Sequence, residues 1–246
     1  MKAMTTHVYL SPHLDDAVYS CGGLIARQAA QGEPVLVITL CAGDPPGTLS
    51  DFARELHLRW GLPRAATAAR RAEDRAACAA LGAEVLHGTL PDAVYRLDTD
   101  GLPRYSDEGS IFGAIHHQEV GMIAGLAVWL DTQLPPDATL YAPLGLGGHV
   151  DHVITRRLAE RLRSPIYYPD YPYAGARAEL PPGLTQPQGR QLLVAYTPQE
   201  IQAWLAAAAL YPSQRATFWA TRAAMEAAFR RYHDEAGGLR LIDARS

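Results

Sequence analysis

The segment 34–40, Pro-Val-Leu-Val-Ile-Thr-Leu, carries no charge and is β-branched at four of its seven positions. A strand with one wet face would alternate polar and apolar residues. This one does not, so it must be covered on both faces, the situation of a strand in a parallel sheet flanked by helices. The rest of the chain repeats the theme. Short apolar stretches at 7–10, 83–87, 139–142, 164–168 and 191–195 read as strands, with helical stretches at 16–30, 64–81, 111–134 and 151–162. Gly32 and Gly82 close the first two helices. Repeated strand-helix-strand order implies right-handed crossovers, so the expected fold is α/β, a mostly parallel sheet with helices on both faces. A proline-rich loop at 181–189 precedes two alanine-rich helices, 199–210 and 216–233. They are expected to pack on the sheet, giving one domain over residues 1–246.

Charge narrows the partners. The net charge is −4 and the isoelectric point lies near 6.1, without the basic stripe that nucleic-acid binding needs. The three cysteines, Cys21, Cys41 and Cys78, are odd in number and show no C-x-x-C spacing, which favours a reducing compartment over a disulfide framework. No apolar run reaches membrane-spanning length, and Met1 to Met4 lead almost directly into the first strand, leaving no room for a signal peptide. A cytoplasmic protein acting on a small molecule is expected.

Two clusters carry the chemistry. Directly after the first strand comes Ser11-Pro12-His13-Leu14-Asp15-Asp16. An imidazole and two carboxylates crowded at a strand end are costly without a shared cation. Neutral imidazole with carboxylate suits zinc, which in catalytic sites takes three protein ligands and leaves a position for water. The competing reading is that Asp15 or Asp16 caps the following helix. The second cluster, Gly147-Gly148-His149-Val150-Asp151-His152, follows the strand ending at Ala142. Its two histidines, three apart at a helix start, share a face, so one can ligate metal while the other faces substrate. Both clusters fall at carboxyl ends of parallel strands, where open α/β sheets bind their ligands.

His-x-Asp-Asp after the first strand with a later His-x-Asp-His resembles the PIG-L/LmbE-like family of zinc N-deacetylases. The resemblance runs from about Val8 to Gln214 and includes Arg70-x-x-Glu73, Leu90-Pro91-Asp92, the segment Tyr168 to Ala174, and Tyr211-Pro212-Ser213-Gln214. The first motif departs from the family's His-Pro-Asp-Asp-Glu in having Leu14 for Pro and Ala17 for Glu. The resemblance implies a Rossmann-like sheet and hydrolysis of an acetyl group from an N-acetylglucosaminyl-type small molecule. It implies that His13, Asp16 and His152 hold one Zn2+ and that Asp15 is the general base. Zinc lowers the pKa of its bound water to about 7, and a neighbouring carboxylate can take the proton. His149, protonated beside the carboxylates and oriented by Asp151, is the expected oxyanion donor. Arg70 and Asp92 carry over as substrate-binding groups, against the plainer readings of a helix-surface pair of Arg70 with Glu73 or Asp74 and a turn at Asp92. Tyr168, Tyr171 and Tyr173 are expected under the sugar or its aglycone, and His116-His117 inside a helix without a catalytic role. Two alternatives stand beside this reading: a catalytically degenerate carbohydrate-binding protein, and a deacetylase of a non-sugar N-acetyl amine. A dinucleotide-dependent oxidoreductase is excluded by the lack of G-x-G-x-x-G after the first strand.

Overall fold

The computed structural model describes residues 5–245. Met1 to Met4, read above as leading into the first strand, lie outside them. The elements in chain order are β1 (His7–Ser11), α1 (Asp16–Ala30), β2 (Val35–Thr39), α2 (Asp51–Arg59), α3 (Ala66–Ala80), β3 (Glu84–His87), α4 (Glu108–Ile111) and α5 (Met122–Gln133). They continue with β4 (Thr139–Pro143), α6 (Val150–Leu162), β5 (Ile166–Tyr168), β6 (Arg190–Val194), α7 (Pro198–Ala208), α8 (Pro212–Phe218), α9 (Arg222–Ala236) and β7 (Leu239–Asp243). The strands form one sheet in the order β3-β2-β1-β4-β5-β7-β6. The first five are parallel, and β7 runs antiparallel to both β5 and β6.

Strand periodicity divides the core. Val8, Leu10, Ile38 and Leu140 project to one face and meet Leu130 of α5 and Ile154 and Leu158 of α6. Tyr9, Val35, Val37 and Tyr141 project to the other, against Val18 and Ile25 of α1, Trp204 of α7 and Phe229 of α9. The central strands are therefore buried on both faces, as the run at 34–40 requires. Because α1 follows β1 onto one face and α6 follows β4 onto the other, the loops after these adjacent strands diverge. They open a crevice between their carboxyl ends, the topological switch point of the sheet.

Several boundaries differ from the sequence reading. The helix expected at 111–134 is a four-residue helix α4, an irregular stretch, a 3-10 turn at His117–Glu119 and then α5. Local side chains set these boundaries: Asp107 caps the start of α4, and the His116 ring accepts from the Gln118 amide, so His116-His117 edge a turn and lie outside any α-helix. Three helices, α7, α8 and α9, replace the two expected C-terminal ones. The unforeseen β7 begins after Gly237-Gly238, and α2 was also not anticipated. A satellite core of Phe52, Trp60, Tyr95, Tyr105, Ile111 and Val150 joins α2, the 93–95 turn and α4 above the carboxyl end of the sheet. This layer forms the walls of the crevice.

Candidate active site

The loop after β1 is folded by its own side chains. Ser11 Oγ donates to the His13 carbonyl (2.6 Å) and accepts from the Ala17 amide (3.0 Å), while Asp16 accepts from the His13 amide (2.8 Å). Asp15 makes no side-chain cap for α1. The capping reading thus fails for Asp15, and both carboxylates remain turned to the crevice. Leu14 and Ala17, the positions that depart from the family motif, are buried apolar groups. The loop after β4 turns through Gly147 and Gly148, both with φ near +80°. A Cβ on Gly147 would sit 2.9 Å from Tyr173, and one on Gly148 2.9 Å from Pro181, so these positions need glycine twice over. The His149 ring then caps α6, Nδ1 accepting from the Asp151 amide (3.2 Å), which puts His152 in the first turn.

The two loops bring His13, Asp16 and His152 together. Asp16 Oδ2 lies 3.2 Å from His13 Nδ1 and 3.3 Å from His152 Nε2. Ligands at 2.0–2.1 Å on a tetrahedral metal would be separated by about 3.3 Å. The remaining ring nitrogens are occupied: His13 Nε2 contacts Asp151 Oδ2 at 3.0 Å and His152 Nδ1 contacts Asp170 Oδ1 at 2.6 Å. Each carboxylate fixes a tautomer whose free lone pair faces the shared point, the usual outer support of metal-ligating histidine. His152 Nε2 is buried without a hydrogen-bond partner, an orphan atom that a cation would satisfy. The donor set fits a divalent metal.

Two other trios bring ligand atoms within 4.8 Å of one another, His13 with His149 and His152, and His13 with Asp92 and Asp151. They fit less well. His149 Nδ1 is taken by the Asp151 amide. The Asp151 carboxylate already accepts from Arg96 Nη2 (2.6 Å), the Ala93 amide (2.9 Å) and His13.

Electrostatics separates the roles further. Burial, then the neighbouring Asp16 charge, pushes the Asp15 carboxyl up to about 7, with Arg70 and His13 pulling it back. Burial works against the charge on Asp16, yet His152 and His13 hold it well below the usual carboxylate range. Burial likewise opposes protonation of His152, but Asp16 and Asp170 raise it to about 9 in the metal-free chain. His149 behaves oppositely. Burial and the nearby His13 drive its pKa well below the ordinary value, so it is neutral, contrary to the protonated state expected from sequence. Nor does the Asp151 carboxylate orient it; the contact runs through the Asp151 backbone amide. With Nδ1 accepting, the neutral ring carries its proton on Nε2 and remains a donor.

Arg70 and Asp92 both line the cavity around this cluster, a space of about 390 Å³. Arg70 is buried with its guanidinium 4.7 Å above the Trp60 ring and 3.5 Å from Asp92, so the surface-pair reading is wrong. Glu73 instead accepts from the Ser213 amide and hydroxyl, and Asp74 from the Tyr211 hydroxyl, which joins α3 to the Tyr-Pro-Ser-Gln segment. Asp92 makes the turn weighed for it, one oxygen accepting from the Val94 amide, while the other faces Arg70. Of the three tyrosines only Tyr173 lines the cavity. Tyr168 and Tyr171 are core residues, their rings turned inward by β5 and the following turn.

The sequence reading missed three supports. Asp170 is fully buried and also accepts from the Gly145 and Leu146 amides; its place just after β5, at the same end of the sheet as the two motifs, was a usable signal. Arg96 and Glu119 left none. Arg96 links Asp151 to Glu119 and to the Pro91 carbonyl, and Glu119 accepts also from Arg104 and the Tyr105 hydroxyl.

Residues 8–162 match the family model described as PIG-L, GlcNAc-PI de-N-acetylase. A 2'-N-acetylparomamine deacetylase of Streptomyces fradiae is 32% identical over 174 residues, covering 68% of this chain and 57% of that protein. A 1D-myo-inositol 2-acetamido-2-deoxy-alpha-D-glucopyranoside deacetylase of Actinosynnema mirum is 30% identical over 204 residues, covering 71% and 66%. The chain thus spans under two thirds of these curated relatives. The zinc-inhibited form of a teicoplanin deacetylase superposes with a TM-score of 0.85 at 25% identity, covering 97% of this chain and 98% of that one. Among the described residues no helix is long and apolar enough to cross a membrane.

Proposed function

We propose, from the premise that this chain belongs to the PIG-L family, that it is a zinc-dependent deacetylase of an N-acetylglucosaminyl-type small molecule. The observation that carries the reading is the convergence of His13 Nδ1, Asp16 Oδ2 and the orphan His152 Nε2 beside a carboxyl raised to about 7. The relatives reported above are named deacetylases, one of them of a 2-acetamido-2-deoxy-glucopyranoside, which supports it.

A divalent ion held by His13, Asp16 and His152 would supply Lewis acidity and an acidified water. Asp15 accepts the proton of the attacking water, a task suited to a carboxyl poised near neutrality. His149 Nε2–H donates to the carbonyl oxygen as negative charge develops there, and being neutral it does so without repelling the cation. Asp15 then returns its proton to the amine as the C–N bond breaks. Arg70, held against Trp60, and Asp92 bind oxygen and hydroxyl groups of the sugar. The two-imidazole, one-carboxylate donor set suits zinc, since catalytic zinc sites use the same combination.

Acetate release from N-acetylglucosaminides, N-acetyl amines without a sugar, and no substrate separates this reading from its alternatives. Turnover of the sugars with loss on chelation is expected. Sugar binding without acetate release would make the chain a binding protein, and preference for a plain N-acetyl amine would overturn the substrate class.

A further inference from the structure

We propose that Trp60 is a positioning residue whose indole face sets the plane in which the Arg70 guanidinium meets the sugar, an inference that rests on the deacetylase reading above. Arg70 is a buried cation with few directional ties. Its Nε is buried without a hydrogen-bond partner, and its contact with Asp92 is an ion pair at 3.5 Å. Attraction between charges at that distance depends weakly on orientation, so Asp92 decides where the guanidinium sits and not how it is turned. The flat surface beside it decides the rest. The guanidinium carbon lies 4.7 Å from the centroid of the Trp60 ring, within cation–π range, and burial strengthens such a contact. A planar guanidinium can stack on that face, whereas an ammonium has no plane to align. Arg70 lines the cavity beside Asp15 and Asp92, so the turn of its plane decides which ligand oxygens its N–H fork can reach.

Trp60 is itself fixed from two sides. Gly61, at φ +68°, ends α2, and the Leu62 amide donates to the His57 carbonyl (2.9 Å), so the chain turns away directly after the indole. Within the same helix the His57 ring and the Tyr95 hydroxyl share a hydrogen bond of 2.6 Å. Tyr95 closes the 93–95 turn, and its amide donates to the Asp92 carbonyl (2.9 Å). The indole from α2 and the carboxylate from the turn, which flank Arg70 of α3, thus stand on segments bonded directly to each other. Burial and then the Arg70 charge lower the His57 pKa, so this brace is neutral and does not compete with Arg70 for Asp92.

The test reads Arg70 first without a ligand and then with one. In nitrogen–proton spectra of the free chain, the Nε–H resonance that disappears in Arg70→Lys should be displaced upfield by the indole ring current. Trp60→Phe should keep part of the displacement and Trp60→Leu should remove it. Dissociation constants for methyl N-acetylglucosaminide are measured on the Asp15→Asn chain, where turnover does not interfere. Adding Trp60→Leu should weaken binding by about tenfold, and adding Trp60→Phe by much less. In a chain that already carries Arg70→Lys, Trp60→Leu should cost nothing further, because the indole acts through the guanidinium. An undisplaced Arg70 resonance in the wild type would overturn the proposal. So would losses from Trp60→Leu and Arg70→Lys that multiply, as for an indole stacked on the sugar itself. Should Trp60→Leu not fold, Tyr95→Phe, which loses only the hydroxyl bonded to His57, should shift the same resonance and weaken binding several-fold; no change in either would overturn the brace. A glycoside that fails to bind at all would overturn the sugar reading alone, because the resonance is read without ligand.

Discussion

Asp15 and Asp16 are adjacent carboxyls whose surroundings drive them apart, one up to about 7 and the other well below the usual range. That separation is what a base beside a ligand requires. Asp15→Asn, which keeps the shape but cannot take a proton, should retain the metal and lose on the order of a hundredfold or more in turnover. Loss of metal in step with activity would make Asp15 a ligand. The wild-type rate should fall on acidification through the Asp15 pKa, because the base works ionised; a bound cation lowers that pKa, so the acid limb is expected at or below pH 7. His152 gives the same sign for metal uptake, by a different route. It holds a proton up to about pH 9 in the metal-free chain, and that proton must leave before the nitrogen can ligate. Metal affinity should therefore rise with pH between 6 and 8, by up to about tenfold per unit for each displaced proton, as read by competition with a chromophoric chelator. Arg96→Met should weaken metal binding on the order of 10–100-fold, since it strips Asp151 of its strongest partner and so loosens His13. Unchanged affinity in that variant would mean Arg96 serves only the wall.

Helix α1 carries a Gly22-Gly23 pair at its middle, where glycine costs about 1 kcal/mol per residue relative to alanine. Packing explains it. A Cβ on Gly22 would lie 2.4 Å from the Trp204 ring and one on Gly23 2.4 Å from Tyr196. The glycines let α7 lie close against α1, with Trp204 Nε1 donating to the Val18 and Tyr19 carbonyls. Gly22→Ala should destabilise the chain by about 1–3 kcal/mol despite its better helix propensity, because the buried indole is held by two carbonyls and must shift. Denaturant melts that show a gain in stability would refute this account. The start of α7 is tied a second time: Glu200 closes a capping box with Thr197 and accepts from Arg27 of α1.

At the scale of the molecule the site belongs to no single element. His13 and Asp16 come from β1–α1, His152 from β4–α6 and Asp170 from beyond β5. A cation bound there bridges strands β1, β4 and β5 across the switch point. Metal in thousandfold excess over its dissociation constant contributes about 4 kcal/mol to stability, so chelation should lower the melting temperature by about 10 °C in a chain of this size. His152→Ala should abolish that difference, and a chelator-insensitive melting curve for the wild type would count against the three-ligand site.

The architecture was legible in the sequence because burial on both faces leaves a local mark: the run at 34–40 has no polar alternation to hide. The two histidine-aspartate clusters were legible for a related reason, since each loop holds its whole contribution within six residues. What the sequence left open depends on contacts between distant segments. Arg96 meets Glu119 across 23 residues and Asp151 across 55, and no local pattern encodes such a meeting. The neutral state of His149 is set by burial beside His13, from another loop. The inward turn of Tyr168 and Tyr171 is set by which face β5 presents to α9. Sequence fixes which groups a loop can offer, through local geometry and composition. Only the packed chain decides their charge, their orientation and their neighbours, because solvent exclusion and electrostatic coupling act through space and not along the backbone.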